Sequence, residues 1–182
     1  TSSALTIGDV NGDGNPDLII ASSRDTRVGV FLSQGNGTLV EAKPVSNGNV
    51  LEQPVLADWN GDKKLDLAMA DKTHSLIVTF MGDGKGGFAL ATQNPGPKFP
   101  DSVWAADMNG DGTPDIVTIE TNGLGETFEV LAGYGDGQFL RSAKYPIGSL
   151  ALAAVLYVGD LNGDNKPEVV IGERSGKLGL FK

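Results

Sequence analysis

One nonapeptide recurs four times along the chain, and nothing else in the sequence limits the fold so strongly. Asp9-Val-Asn-Gly-Asp-Gly-Asn-Pro-Asp17 is followed by Asp58-Trp-Asn-Gly-Asp-Lys-Lys-Leu-Asp66, Asp107-Met-Asn-Gly-Asp-Gly-Thr-Pro-Asp115 and Asp160-Leu-Asn-Gly-Asp-Asn-Lys-Pro-Glu168. Successive copies begin 49, 49 and 53 residues apart. A period near fifty matches one propeller blade of four strands. Each copy is preceded by a short apolar run (Leu5 to Asp9, Val55 to Asp58, Val103 to Asp107, Val155 to Asp160). Each is followed by a second run: Leu18 to Ala21, Leu67 to Ala70, Ile116 to Ile119 and Val169 to Ile171. These second runs are apolar at consecutive positions, which predicts strands covered on both faces.

A third strand is expected at Val28 to Leu32, Leu76 to Phe80, Phe128 to Leu131 and Leu178 to Phe181. In three units a glycine-rich turn then leads to a fourth strand: Gln34 to Leu39, Gly82 to Phe88 and Gly133 to Phe139. Glycine there permits the positive φ of a tight hairpin. The expected fold is all-β: four antiparallel blades over about 1–50, 51–99, 100–148 and 149–182, the last lacking its outer strand, in one domain spanning 1–182.

The loops carry Asp, Asn and Asp at positions one, three and five: Asp9, Asn11 and Asp13; Asp58, Asn60 and Asp62; Asp107, Asn109 and Asp111; Asp160, Asn162 and Asp164. Position nine is Asp17, Asp66, Asp115 or Glu168, and the main-chain carbonyl of position seven (Asn15, Lys64, Thr113 or Lys166) can add an oxygen. Alternate spacing in a tight loop lets these oxygens converge. Hard oxygen donors without nitrogen or sulfur select Ca2+, up to four ions here, over zinc or copper, and magnesium demands stricter octahedral geometry. An acidic turn without metal is the plain alternative for any one loop. An EF-hand shares the first five positions but needs Glu at position twelve and flanking helices. Position twelve is Ile20, Met69, Thr118 and Ile171, and the flanks are β-rich. Lys63 at position six makes the second loop the most strained, and the longer Glu168 should alter the fourth.

Charge agrees with this reading. Net charge is −9, and twelve of the 23 acidic residues lie in the four loops. Four divalent ions would bring the total to about −1. The balance argues against a nucleic-acid partner. No apolar run is long enough to span a bilayer. There is no cysteine, which removes disulfides, thiolate metal sites and cysteine nucleophiles.

At the acidic loops and the Gly-x-Gly-x-x-Phe-like turns the chain resembles the FG-GAP/VCBS repeat family, in its bacterial VCBS-like form more than its integrin form. The resemblance implies a calcium-binding propeller used for recognition or adhesion, in an extracellular, cell-surface or periplasmic setting where free calcium is abundant. Family propellers have about seven blades. Three explanations of the smaller number compete: a fragment of a larger propeller (the favoured one), a small closed propeller, or pairing with another copy through open blade edges. In integrin-like relatives the end opposite the metal loops takes a protein or glycan ligand. Here that end is expected to carry Arg24, Asp25, Arg27, Lys72, His74, Glu126, Arg174 and Lys177, with Pro95, Pro97, Lys98 and Pro100 in a longer connection. For any one of these residues an ordinary solvated loop surface is the favoured reading.

Catalysis is not expected. His74 is the sole histidine, no neighbouring serine or aspartate marks a triad, and the paired carboxylates belong to the loops. Alternatives are a carbohydrate-binding, lectin-like propeller and part of a polysaccharide lyase or hydrolase propeller. For the former, Trp59 and Trp104 would have to stack on sugars, but packing is the expected role of both.

Overall fold

The computed structural model describes residues 3–120, 127–147, 153–173 and 176–181. They form four antiparallel sheets, and no helix occurs among the described residues. Blade 1 is β1 (Ser3–Gly8), β2 (Asp17–Ser22), β3 (Gly29–Ser33) and β4 (Leu39–Glu41). Blade 2 is β5 (Glu52–Ala57), β6 (Asp66–Asp71), β7 (Leu76–Gly82) and β8 (Phe88–Pro95). Blade 3 is β9 (Pro100–Ala106), β10 (Asp115–Glu120), β11 (Thr127–Gly133) and β12 (Phe139–Pro146). Blade 4 is β13 (Ala153–Gly159), β14 (Glu168–Glu173) and β15 (Leu178–Phe181). Every sheet is a meander whose strands pair in sequence order, so the four sheets are the blades of a β-propeller.

The first strand of each blade stops just before the acidic loop, one residue short of the apolar runs, because the loop's first Asp already turns the chain. Register irregularities recur at matching places. The first and second strands slip near their outer end in blades 2, 3 and 4, and the third and fourth strands slip after Thr79 and after Val130. An extra residue in one strand increases local twist, which a blade needs to fan out from the axis.

Three apolar clusters hold the blades face to face. Ile19, Ala21 and Val30 of blade 1 meet Leu67, Met69 and Phe80 of blade 2. Ala68, Ala70 and Ile77 of blade 2 meet Ile116, Leu131 and Phe139 of blade 3. Val117, Ile119 and Phe128 of blade 3 meet Val158, Val169 and Ile171 of blade 4. Burying one such side chain contributes about 1.5–3 kcal/mol, so these interfaces dominate cohesion.

The expectation that every second strand is covered on both faces holds for β6 and β10, which are buried at all six positions. It fails for β2, whose positions alternate between buried and half-buried. A second strand is covered twice only when a blade stands on each side, and blade 1 has one on a single side.

Candidate metal centres

Each acidic loop is wound by its own side chains. In the first, Asp9 Oδ1 accepts hydrogen bonds from the backbone N–H of Gly12 (2.7 Å) and Asp13 (3.2 Å), and Oδ2 accepts from Gly14 (2.8 Å). Asn11 Oδ1 accepts from the N–H of Asp13 at 2.9 Å, and Asp13 Oδ1 accepts from that of Asn15 at 2.8 Å. The pattern repeats around Asp58, Asn60 and Asp62 and around Asp107, Asn109 and Asp111. Asp160, Asn162 and Asp164 reproduce it in blade 4, where Lys166 donates its N–H to Asp164. Short polar side chains that hold nearby amides in this way favour tight turns over regular strands.

Position six lies in the left-handed region in all four loops. Gly14 and Gly112 adopt it freely at φ 85° and 86°, whereas Lys63 and Asn165 are held there at 66° and 64°. Asn tolerates that region better than Lys, so the second loop carries the clearest backbone strain of the four.

Position nine performs a task that spacing does not reveal. Asp17 is fully buried, with Oδ2 on the N–H of Val10 (3.0 Å) and Oδ1 on that of Ser33 (2.8 Å). Asp66 bridges Trp59 and Gly82, and Asp115 bridges Met108 and Gly133, in the same manner. One carboxylate thus ties the acidic loop to the end of the third strand. Glu168 departs, as its length suggests. Oε2 takes the N–H of Leu161, but Oε1 turns back to Asn162 Nδ2 at 2.5 Å.

The carboxyls differ in acidity. Hydrogen bonds hold Asp13, Asp111 and Asp160 below the usual aspartate value, led by the backbone N–H of Asn15, Thr113 and Asn165 respectively. Asp62 is lowered chiefly by a hydrogen bond from the Lys64 ammonium, at 3.0 Å. Asp66 and Asp115 are raised, first by burial and then, after partial offset by their backbone hydrogen bonds, by the negative charge of the other two carboxylates in their loops.

The donor set fits a hard divalent cation on chemistry. It is all oxygen, each carboxylate oxygen has more than one lone pair, and burial with mutual repulsion penalises the anions at Asp66 and Asp115. Among the described residues, however, no three acidic or histidine side chains are gathered into a ready cage. The oxygens are turned to backbone amides. Lys64 further distinguishes the second loop, because its ammonium sits on one of the carboxylates that a cation would need.

The glycine-rich turns lie at the same end of the blades. Gly86 N–H donates to Val10 O at 3.1 Å, which joins the turn of blade 2 to the loop of blade 1. At the opposite end Arg24 and Arg27 are exposed, and Arg27 pairs with Asp25 at 3.4 Å. Lys72 pairs with Asp101 of blade 3 at 2.5 Å. Lys177 and Lys98 are exposed, while Pro97 and Pro100 are buried. Glu126 and Arg174 lie outside the described residues.

His74 does have an aspartate partner, contrary to the sequence reading. Buried Asp71 accepts from the His74 N–H at 3.0 Å, lies 2.9 Å from its Nδ1, and accepts from Asn49 Nδ2 at 2.7 Å. These contacts close the turn after β6. A second buried acid, Glu129 on β11, is met by Arg141 at 2.8 Å and Lys144 at 3.3 Å, and Lys144 also contacts Glu120. The available signal was an acidic residue within or ending an apolar run, which must find a partner when buried.

Trp59 is buried and meets Phe139 of the next blade edge-on at 5.9 Å. Trp104 packs against the cluster between blades 3 and 4 and meets Tyr157 at 5.2 Å. Both serve packing. A cleft of about 840 Å³ opens between blades 3 and 4, lined by Phe128, Tyr145, Val169 and Phe181 and bounded by Asp107 and Lys166. It borders the acidic-loop end.

The sequence profile described as FG-GAP-like repeat matches residues 9–69 and again 58–118, each match beginning at the first Asp of an acidic loop and running through the next loop. The two together span more than half of the chain. No curated protein matches it.

Proposed function

The chain belongs to the FG-GAP-like repeat family, and on that footing we propose that it is a calcium-binding, non-catalytic β-propeller module serving as a recognition or adhesion scaffold outside the cytoplasm. The observation that carries the reading is the fourfold recurrence of one loop shape around oxygen donors alone. A bare acidic turn needs only one or two of these side chains, whereas each loop here retains all four oxygen-bearing positions.

In this reading the side chains at positions one, three, five and nine would hold the ion, with the carbonyl at position seven. The ion would supply a cross-link and relief of carboxylate repulsion. The protein already contributes the rest: position one winds the loop, and in the first three loops position nine anchors it to the third strand. The opposite end, with Arg24, Arg27 and Lys177 exposed, is the surface offered to a protein or glycan ligand.

Thermal unfolding in calcium, in magnesium and in chelator tests the proposal. Binding to the folded state alone stabilises by about 2.7 kcal/mol per site at a hundredfold excess over Kd. A melting temperature raised by calcium and much less by magnesium is expected, and equal values in calcium and chelator would refute it.

A second reading, glycan binding, is favoured by the cleft between blades 3 and 4. There Tyr145 is exposed and stacks on Phe128 at 4.7 Å, presenting an aromatic face toward the end of the cleft away from the third acidic loop. A glycan array with wild type and Tyr145→Ala separates the readings, because the scaffold reading predicts no glycan signal that this substitution removes.

A further inference from the structure

The arc of blades ends on two unpartnered faces that are the two halves of its own internal interface. Each blade has an incoming face, packed on the blade before it, and an outgoing face, packed on the blade after it. On the incoming face of blade 2, Leu56, Leu67 and Phe80 lie side by side across three strands. The same places are held by Val158, Val169 and Phe181 in blade 4 and by Ile7, Leu18 and Phe31 in blade 1. In blades 2 and 4 these residues belong to or pack against the inter-blade clusters. In blade 1, Ile7 and its neighbour on the same face, Leu5, are each 61% exposed.

The outgoing face shows the converse. Ile19 and Val30 of blade 1, and Val117 and Val130 of blade 3, are buried against the next blade. Their counterparts in blade 4 are Val170 and Leu180, with Leu178 on the same face. Leu178 is 76% exposed and Leu180 56%. Among the described residues no apolar cluster joins blade 4 to blade 1.

We propose that a second copy of the chain covers these faces head to tail: the outgoing face of blade 4 of one copy stacks on the incoming face of blade 1 of the other. The contact continues an interface that the described blades already make three times at the same register, apolar at these places between blades 1 and 2 and between blades 3 and 4, and with Thr79 beside Ala68 where blade 2 meets blade 3. It runs through blade faces and not through open strand edges. A blade-on-blade contact of this kind is heterologous, so two distinct surfaces meet. That feature makes the pairing testable independently of calcium and of any ligand.

The experiment is sedimentation velocity on wild type, on Leu5→Glu/Ile7→Glu (incoming face) and on Leu178→Glu/Leu180→Glu (outgoing face), from about 1 to about 200 µM. Circular dichroism and melting curves verify that each variant is folded. Wild type should dimerise, and each variant should associate at least about tenfold more weakly. Mixing the two variants should restore a heterodimer, because the mixture holds one intact copy of each face. Wild type that stays monomeric throughout would overturn the proposal and leave a different occupant, such as another blade of the same polypeptide. So would association that both variants retain, or a mixture that behaves as the sum of its parts.

Discussion

At the ninth position of the first three loops one carboxylate answers two requirements at once. Asp66 is a proposed metal ligand, and in the same pose it accepts the backbone N–H of Trp59 and of Gly82. Removing it leaves two buried amides without partners, at about 1–3 kcal/mol each. Asp66→Ala should therefore destabilise the protein by about 2–4 kcal/mol even in chelator, whereas Asp62→Ala should matter mainly when calcium is present. Denaturant unfolding with and without calcium checks both.

Acidity follows the same division. Asp66 and Asp115 are raised above the ordinary 3.8, so without metal their contribution to stability is complete below that pH and is lost as pH rises through their folded-state values. Asp13, Asp62, Asp111 and Asp160 are lowered, so theirs is complete above 3.8 and lost as pH falls through their folded-state values. Carboxyl-carbon NMR in chelator should place the first pair above the other four. Calcium should bring Asp66 and Asp115 down, since a bound cation inverts the local preference.

Lys64 belongs to this scale too. Its ammonium neutralises Asp62, and with Lys63 it makes the second loop the least negative of the four. Lys64→Thr, which copies position seven of the third loop, should tighten calcium binding in blade 2. Titration calorimetry would show it as an additional or stronger site, and an unchanged isotherm would argue against a competing ammonium.

At the scale of strands, protection should follow how many faces are covered. β6 and β10 are buried at every position, β2 at alternate ones, and β4 at none. Amide exchange should be slowest in β6 and β10, faster in β2 and fastest in β4, since local opening tracks the apolar contacts that must be broken.

The strands themselves were legible in the sequence, because apolar runs and glycine turns recur with the acidic loops. Blade count and strand order follow from that repetition. Their surroundings were not legible. The run Leu18 to Ala21 reads like Leu67 to Ala70, yet only the second is covered on both faces. Burial depends on a neighbouring sheet, and a local pattern does not record it. The Asp71–His74 contact, three residues apart in one turn, was within reach of the sequence, whereas the pairing of Glu129 with Arg141 and Lys144 was missed because partners on adjacent strands have no fixed sequence offset. The Asp17–Ser33 bond escaped for the same reason, although both residues stand beside recognisable motifs.

At the scale of the molecule, the described residues form four repeated sheets that share three apolar interfaces and carry four oxygen-rich loops at one rim. The packing account makes each blade's stability depend on its neighbours, as in other repeat proteins. The metal account adds a local clamp within each blade. The two are separable, because the interfaces lie between sheets and the loops join strands of one sheet.

Calcium-binding stoichiometry of chelator-stripped protein, measured by titration calorimetry, decides whether the four loops hold metal. The expected result is several bound ions per chain, tightest at the first and third loops, weaker at the fourth, and weakest at the second where Lys64 competes. Absence of saturable calcium binding at millimolar concentration would contradict it, and would leave the four loops as acidic turns held only by their own amides.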